Sequence, residues 1–432
     1  MGDRSTVEWL QALEEYKPAS WNPIVGCHAE HPSTECARCY AELQAVRCRG
    51  YGHELYQEVV HQVGNPPRWR WNGQAGIAKE EVWTQPIRWT APRMIFVCSM
   101  GEITLGGPEA VRRVFEIAAA TPRHLYMVLT KDPEALEEVL RDLWYRCPAC
   151  KGELDNWERP GGDCSDCRGG RVAWAARPLP NVWIGTTVGH PRSAHRLEVL
   201  ARIPAAIRYV SAEPLVRPIA GVLEEWIHPE VEGRARAHQR RTGHRVWVRD
   251  GLYGCAECDW QASFHDAEPL VDWLLVGGES GSDSKVRPMH PAWVEDLVEL
   301  AGVARVPLFL KQWGSWGPSL VEGAHLVEAA YIDRAGRRVS AGGMDGSVKL
   351  FRYRSKKTAG ALYRGAPLQQ APPPPSQQLL QVPPGVCRAC GCTDDGACDG
   401  GCCWAEDGRC CRCAFPNGPD ESVEDPCSCG LL

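Results

Sequence analysis

Met94-Ile-Phe-Val-Cys-Ser-Met-Gly-Glu102 is a run of five apolar residues that passes at once into a polar, glycine-containing turn. Five residues suit a strand and are too few for a stable helix, and a run without polar alternation suits a strand covered on both faces. The same unit recurs. Leu125 to Leu129 leads into Thr130-Lys131, Val182 to Thr187 ends on Thr186-Thr187, and Ile207 to Val210 leads into Ser211-Ala-Glu-Pro214. Trp273 to Val276 leads into Gly277-Gly-Glu-Ser280, and Pro307 to Leu310 into Lys311-Gln-Trp-Gly314. Most intervals carry apolar residues at three- and four-residue steps, as in Pro108 to Ala120 and Asp132 to Leu143. Short apolar strands alternating with amphipathic helices predict an α/β chain built as a (β/α) barrel or partial barrel of the TIM type.

Strand carboxyl ends in such a barrel meet at one mouth, where these folds place their chemistry. Glu102, Glu213 and Glu279, with Lys131 and Lys311, would line that mouth. Solvation alone also favours polar strand ends, so position by itself assigns no role.

A first strand read at Asn22 to Val25 runs into Cys27, with Cys36 and Cys39 following on the same loop. Three thiolates on one loop can each hold one iron of a cubane and leave the fourth iron open. The alternative is a zinc knuckle completed by His28 or His31. The chain has 22 cysteines, many in C-x-x-C pairs, which in a reducing compartment argues for metal rather than disulfides. Cys48 and Cys98 stand alone and read as small buried hydrophobes.

In order along the chain, Trp21-Asn-Pro, Cys36-Ala-Arg-Cys-Tyr-Ala41, Ile95-Phe-Val-Cys-Ser-Met100, Leu129-Thr-Lys131 and Asn181-Val-Trp-Ile-Gly185 are followed by five further motifs. These are Ser211-Ala-Glu-Pro-Leu215, Gly277-Gly-Glu-Ser280, Arg287-Pro-Met-His290, Lys311-Gln-Trp-Gly314 and Lys356-Lys-Thr-Ala-Gly360. This set resembles the uncharacterised phage and prophage three-cysteine-motif proteins, whose barrel is considered similar to the radical S-adenosylmethionine superfamily. The resemblance spans most of residues 18 to 365. It implies that Cys27, Cys36 and Cys39 hold a [4Fe-4S] cluster whose open iron chelates S-adenosylmethionine, and that an external electron donor serves the cluster. The implied activity is generation of a 5′-deoxyadenosyl radical that abstracts hydrogen from a substrate.

The superfamily places a Gly-Gly-Glu turn after its second strand to receive the methionine ammonium. Here that position carries Ser99-Met-Gly-Glu102, so Ser99 and Glu102 are the expected cofactor contacts, with hydroxyl, carbonyl and carboxylate acceptors on offer. The literal Gly277-Gly278-Glu279 follows a later strand, and Gly278 and Ser280 are expected beside the cofactor as well. Glu213, Glu279 and Lys311 are the expected catalytic or substrate-facing groups.

Two insertions interrupt the 1–365 barrel. In 145–172, Cys147, Cys150, Cys164 and Cys167 have zinc-ribbon spacing. In 226–268, Cys255 and Cys258 have His238, His244 and His265 as possible partners, and His238 and His244 are the expected pair. Arginines around those histidines make a nucleic-acid contact plausible, as do the alternating cations and indoles of Pro67-Arg-Trp-Arg-Trp71. His290 reads as the residue that opens a helix, with a proton donor near the mouth as the alternative. Residues 366–386 form a Pro/Gln-rich linker, and 387–432 a cysteine-rich tail that needs metal to fold.

A net charge of −6 gives no global pull toward nucleic acid or an anionic membrane. No apolar run of membrane-spanning length and no signal-peptide core occur, so a soluble, cytoplasmic chain without membrane contact is expected. Two functional readings follow. One is a radical S-adenosylmethionine-like enzyme acting on nucleic acid or a nucleotide. The other is a non-catalytic, zinc-stabilised nucleic-acid-binding protein.

Overall fold

The structure, a computed structural model, describes residues 5–30, 33–145, 178–227, 235, 238–239, 242–249, 252–258, 261–263, 270–281, 285–321, 324–341, 346–353, 355–374, 404–405 and 409–410. Its centre is a seven-stranded sheet whose strands lie side by side in chain order. These are β1 (Lys17–Trp21), β2 (Arg93–Val97), β3 (Leu125–Thr130), β4 (Val182–Thr187), β5 (Ile207–Ala212), β6 (Trp273–Gly277) and β7 (Leu308–Gln312). Every neighbouring pair is parallel. Sequential parallel order requires each crossover to return on the same side, which curls the sheet into a half-barrel.

Helices α1 (Tyr40–Gly50), α2 (Gly107–Ala120), α3 (Pro133–Tyr145), α4 (His195–Arg202), α5 (Ala220–Ile227) and α6 (Pro291–Ala304) occupy the crossovers. The larger core lies between sheet and helices, where Ile95, Val128, Ile184, Val210 and Leu274 meet Val114, Leu136, Leu197, Leu223 and Val294. The opposite strand faces build a second core inside the curl from Phe96, Met127, Trp183, Tyr209, Trp273, Leu275 and Phe309. Trp9 and Leu10, on the short turn Glu8–Gln11, join this inner core. With both faces covered, the strands are buried almost without interruption, as their apolar runs require.

Two expected boundaries move. The strand before the cysteines is Lys17–Trp21, not Asn22–Val25, because Trp21 pairs with Val97 while Asn22 turns to accept hydrogen bonds from Ser99 Oγ and Met100 N. Ile24–Val25 instead pairs antiparallel with Gly76–Ile77. At the other end, the folded unit runs past 365 into the expected linker. Leu310 N donates to Leu368 O and Gln370 N to Leu308 O, which covers the open edge of β7.

Within 226–268 the described residues include a three-stranded antiparallel sheet of Val246–Arg249, Leu252–Cys255 and Gln261–Ser263. A further antiparallel sheet, Trp316–Gly317, Leu326–Ile332, Arg338–Val339 and Val348–Tyr353, follows β7. The expected zinc ribbon with Cys147, Cys150, Cys164 and Cys167 lies outside the described residues, as do His31, His265 and nearly all of the 387–432 tail. Among the described residues no helix is long and apolar enough to cross a membrane.

Candidate functional site at the mouth of the half-barrel

Side chains alternate along a strand, so the inward row that includes Met127, Trp183, Tyr209, Leu275 and Phe309 continues to Lys131, Thr187, Glu213, Glu279 and Lys311 at the carboxyl ends. This brings the expected acidic and basic groups to one mouth. Lys311 Nζ lies 3.3 Å from Glu213 Oε1, and Ser211 Oγ donates to Glu213 Oε2 at 3.4 Å. Below them the Tyr209 hydroxyl, Thr187 Oγ1 and Trp183 Nε1 are buried with no hydrogen-bond partner among the described residues.

The cysteine loop closes over this mouth. Gly26 has a φ of +99°, and a Cβ there would meet Gln74 O at 2.2 Å, so only glycine allows the chain to turn from Val25 into Cys27. Glu102 N donates to Gly26 O at 2.9 Å, joining the loop to the turn after β2. Cys36 lies on the 3-10 turn Thr34–Arg38, and Cys39 immediately precedes α1.

Buried charges hold that turn. Glu35 Oε1 accepts from Gly189 N at 2.9 Å and Ser193 Oγ at 2.8 Å, beyond β4. Burial works against its carboxylate, yet hydrogen bonds from its own backbone N–H, Gly189, Ser193 and Ser33 outweigh it and hold its pKa below the ordinary value. On the other side Arg287 donates to both oxygens of buried Glu279 and, through Nη1, to Thr34 O at 3.0 Å. Arg38 Nε lies 3.6 Å from Glu279 Oε2.

The three thiols share one electrostatic neighbourhood. Burial opposes the Lys131 ammonium, but Cys36, Cys39, Glu102 and Cys27 outweigh it and hold its pKa above the ordinary lysine value. Burial first, then Glu102 and Cys39, pushes the Cys27 thiol up to about 12. Burial thus works against an anion at Cys27, and Lys131 is the cation that acts in its favour. A single zinc ion would need sulfurs about 3.8 Å apart, given Zn–S bonds of about 2.3 Å in a tetrahedron. Among the described residues the one group of ligand atoms all within 4.8 Å of one another lies elsewhere. His28 Nε2 is 3.5 Å from Asp132 Oδ2, so the described imidazole of the loop faces a carboxylate.

The expected cofactor contacts are built into the same frame. Glu102 is buried, with Oε1 accepting from Thr130 Oγ1 at 2.6 Å and Oε2 from Lys131 N at 2.9 Å. Ser99 Oγ donates to Asn22, and Ser99 O accepts from Tyr40 OH at 2.7 Å. Gly278 is pressed against the end of β7, where a Cβ would meet Trp313 O at 2.0 Å, and Gly278 O accepts from Gln312 Nε2. Ser280 is exposed beyond Glu279. Through Arg287, Glu279 is tied to the cysteine loop at Thr34.

Residues 4–372 match the model of a family described as a protein of unknown function (DUF5131). The chain belongs to that family. No curated protein and no solved structure matches the chain. The matched span contains the whole seven-stranded sheet, the cysteine loop and the 226–268 insertion of this DUF5131 member.

In that insertion His238, His244, Cys255 and Cys258 come together, with all four ligand atoms within 4.8 Å of one another, so the group could hold a metal ion. The remaining singled-out residues are used in packing. Trp71 is buried, Arg70 pairs with Glu42 at 2.8 Å, and Arg49 lies over Trp69. His290 caps α6, accepting from Ala292 N at 3.1 Å. Cys48 and Cys98 are buried.

Proposed function

We propose that this chain is a radical S-adenosylmethionine-type enzyme, with Cys27, Cys36 and Cys39 as ligands of a [4Fe-4S] cluster. The observation that carries the reading is a loop of three thiols around Lys131 and Glu102, with the His28 ring turned to Asp132, held over the carboxyl mouth of a parallel half-barrel. When bound and reduced by an external donor, such a cluster supplies the electron that cleaves S-adenosylmethionine to methionine and a 5′-deoxyadenosyl radical. The chain's own residues bind, orient and keep the site dry. Glu35 and the Glu279–Arg287 pair fix the loop, and Lys131 offsets the negative charge that three thiolates bring. Ser99 O and the second lone pairs of the Glu102 oxygens are acceptors for the cofactor's ammonium. Tyr209, Thr187 and the Glu213–Lys311 pair face the substrate, above an aromatic floor of Trp183, Trp273 and Phe309 that excludes water. The substrate class is a nucleic acid or nucleotide, toward which Lys311 of the Glu213–Lys311 pair offers a cation at the mouth.

A zinc-stabilised nucleic-acid-binding protein is the second reading, favoured by the Cys2His2 group and by exposed Arg245 and Trp247 on the neighbouring hairpin. Anaerobic reconstitution of the full chain with iron and sulfide, then dithionite and S-adenosylmethionine, separates the two. The enzyme yields 5′-deoxyadenosine by mass spectrometry, and Cys36→Ala abolishes it. Zinc at the three-cysteine loop, or no 5′-deoxyadenosine from fully iron-loaded protein, overturns the first reading.

A further inference from the structure

Outside the barrel mouth, Glu225 on α5 is buried, and its Oε2 lies 3.1 Å from Nδ1 of buried His238. The other nitrogen of that ring, Nε2, lies 3.5 Å from Cys258 Sγ. Across the group, Cys255 Sγ lies 3.4 Å from His244 Nδ1. A tetrahedron with Zn–N of about 2.05 Å and Zn–S of about 2.3 Å has N···S edges of about 3.5 Å. Both of these edges agree with that value. Glu257 N also donates to Cys255 Sγ at 3.3 Å, which favours the thiolate, while the Glu257 carboxylate, 3.6 Å from the same sulfur, pairs with Arg245.

We propose that His238 Nε2, His244 Nδ1, Cys255 Sγ and Cys258 Sγ hold a structural zinc ion, and that Glu225 is the carboxylate that orients His238. A ring that donates Nδ1–H to a carboxylate presents the Nε2 lone pair, so Glu225 selects the tautomer that the metal needs. Four protein ligands leave no open position, which makes the site structural. Its anchor is the barrel wall. Trp226 and Ile227, next to Glu225, belong to the main core, and Leu270 N donates to Trp226 O at 2.9 Å. The ion therefore ties the antiparallel insertion to α5 through Glu225 and His238, independently of what the three-cysteine loop holds.

The test uses the full chain, purified with zinc and with no added iron. Total zinc falls by one equivalent in Cys258→Ser relative to the parent, and cobalt substitution shows a tetrahedral two-thiolate spectrum that this variant lacks. Glu225→Gln keeps that equivalent but releases it to a competing chelator at a 10- to 100-fold lower chelator strength, on the order found for removed metal-orienting carboxylates. Circular dichroism matching the parent shows that each variant is folded. Unchanged zinc content in folded Cys258→Ser overturns the site, and unchanged chelator competition in Glu225→Gln overturns the role of Glu225.

Discussion

Arg287→Met removes the guanidinium that ties the cysteine loop to β6, and its cost follows from what remains. The Glu279 side chain is 2 % exposed and that of Arg287 31 %. Deleting one partner of a buried ion pair costs about 3–5 kcal/mol. Here the Arg287 backbone N–H still donates to Glu279 Oε2 at 2.8 Å, Arg38 Nε stays 3.6 Å away, and the lost cation was partly solvated. The expected cost is therefore about 2 kcal/mol, after discounting for screening. Because Nη1 also serves Thr34 O, the loss falls on the Thr34–Arg38 turn. Native-state hydrogen exchange of residues 33–39 reads it directly, since about 2 kcal/mol corresponds to about 30-fold faster exchange. Glu279→Gln weakens the same tie, and the double variant costs at least about 1 kcal/mol less than the sum of the singles. Exchange within threefold of the parent in Arg287→Met, or additive single effects, would refute the assignment of this pair as the loop's anchor.

Gly185→Ala would place a Cβ 2.5 Å from ring carbons of fully buried Tyr209 and should lower stability by about 1–3 kcal/mol in urea unfolding. Tyr209→Phe, which keeps the ring, does not relieve it, and a neutral Gly185→Ala would show that the ring is free to move. His124 is buried, its Nδ1 accepting from Arg93 N at 3.2 Å while Nε2 lies 2.9 Å from Pro86 O. Burial first, then Arg123, lowers its pKa to about 4. The unfolded ring takes up its proton near pH 6.5, so between those values the unfolded chain binds more protons. Stability from this group is full above pH 6.5 and is lost as pH falls to about 4, by about 3 kcal/mol in all. His124→Asn should flatten that part of the stability–pH curve, and an unchanged slope counts against the claim.

The parallel sheet was legible because its strands are short, unbroken apolar runs, a pattern that few other elements share. Cys255, Cys258, His238 and His244 were legible because metal ligands cluster at short spacing. β1 was not. Lys17-Pro-Ala-Ser-Trp21 contains a proline and polar residues, which an edge strand tolerates, whereas the more apolar Asn22 to Val25 looked the better strand. Glu35, Arg287 and Glu225 escaped notice for another reason. A buried or half-buried charge looks like any surface charge in sequence, and its partners are Gly189 and Ser193 for Glu35, Thr34 for Arg287 and His238 for Glu225. Only folding shows that these charges are paired. The roles of Ser99 and Glu102 rested on family resemblance, and the structure adds that both are held by Asn22, Tyr40, Thr130 and the Lys131 backbone.

Electron paramagnetic resonance of the reconstituted, dithionite-reduced full chain tests the central claim most directly. A [4Fe-4S] signal with about four irons per chain at this site, absent in Cys36→Ala and altered by added S-adenosylmethionine, is the predicted result. A signal that S-adenosylmethionine leaves unchanged, or one that survives loss of Cys36, would contradict it.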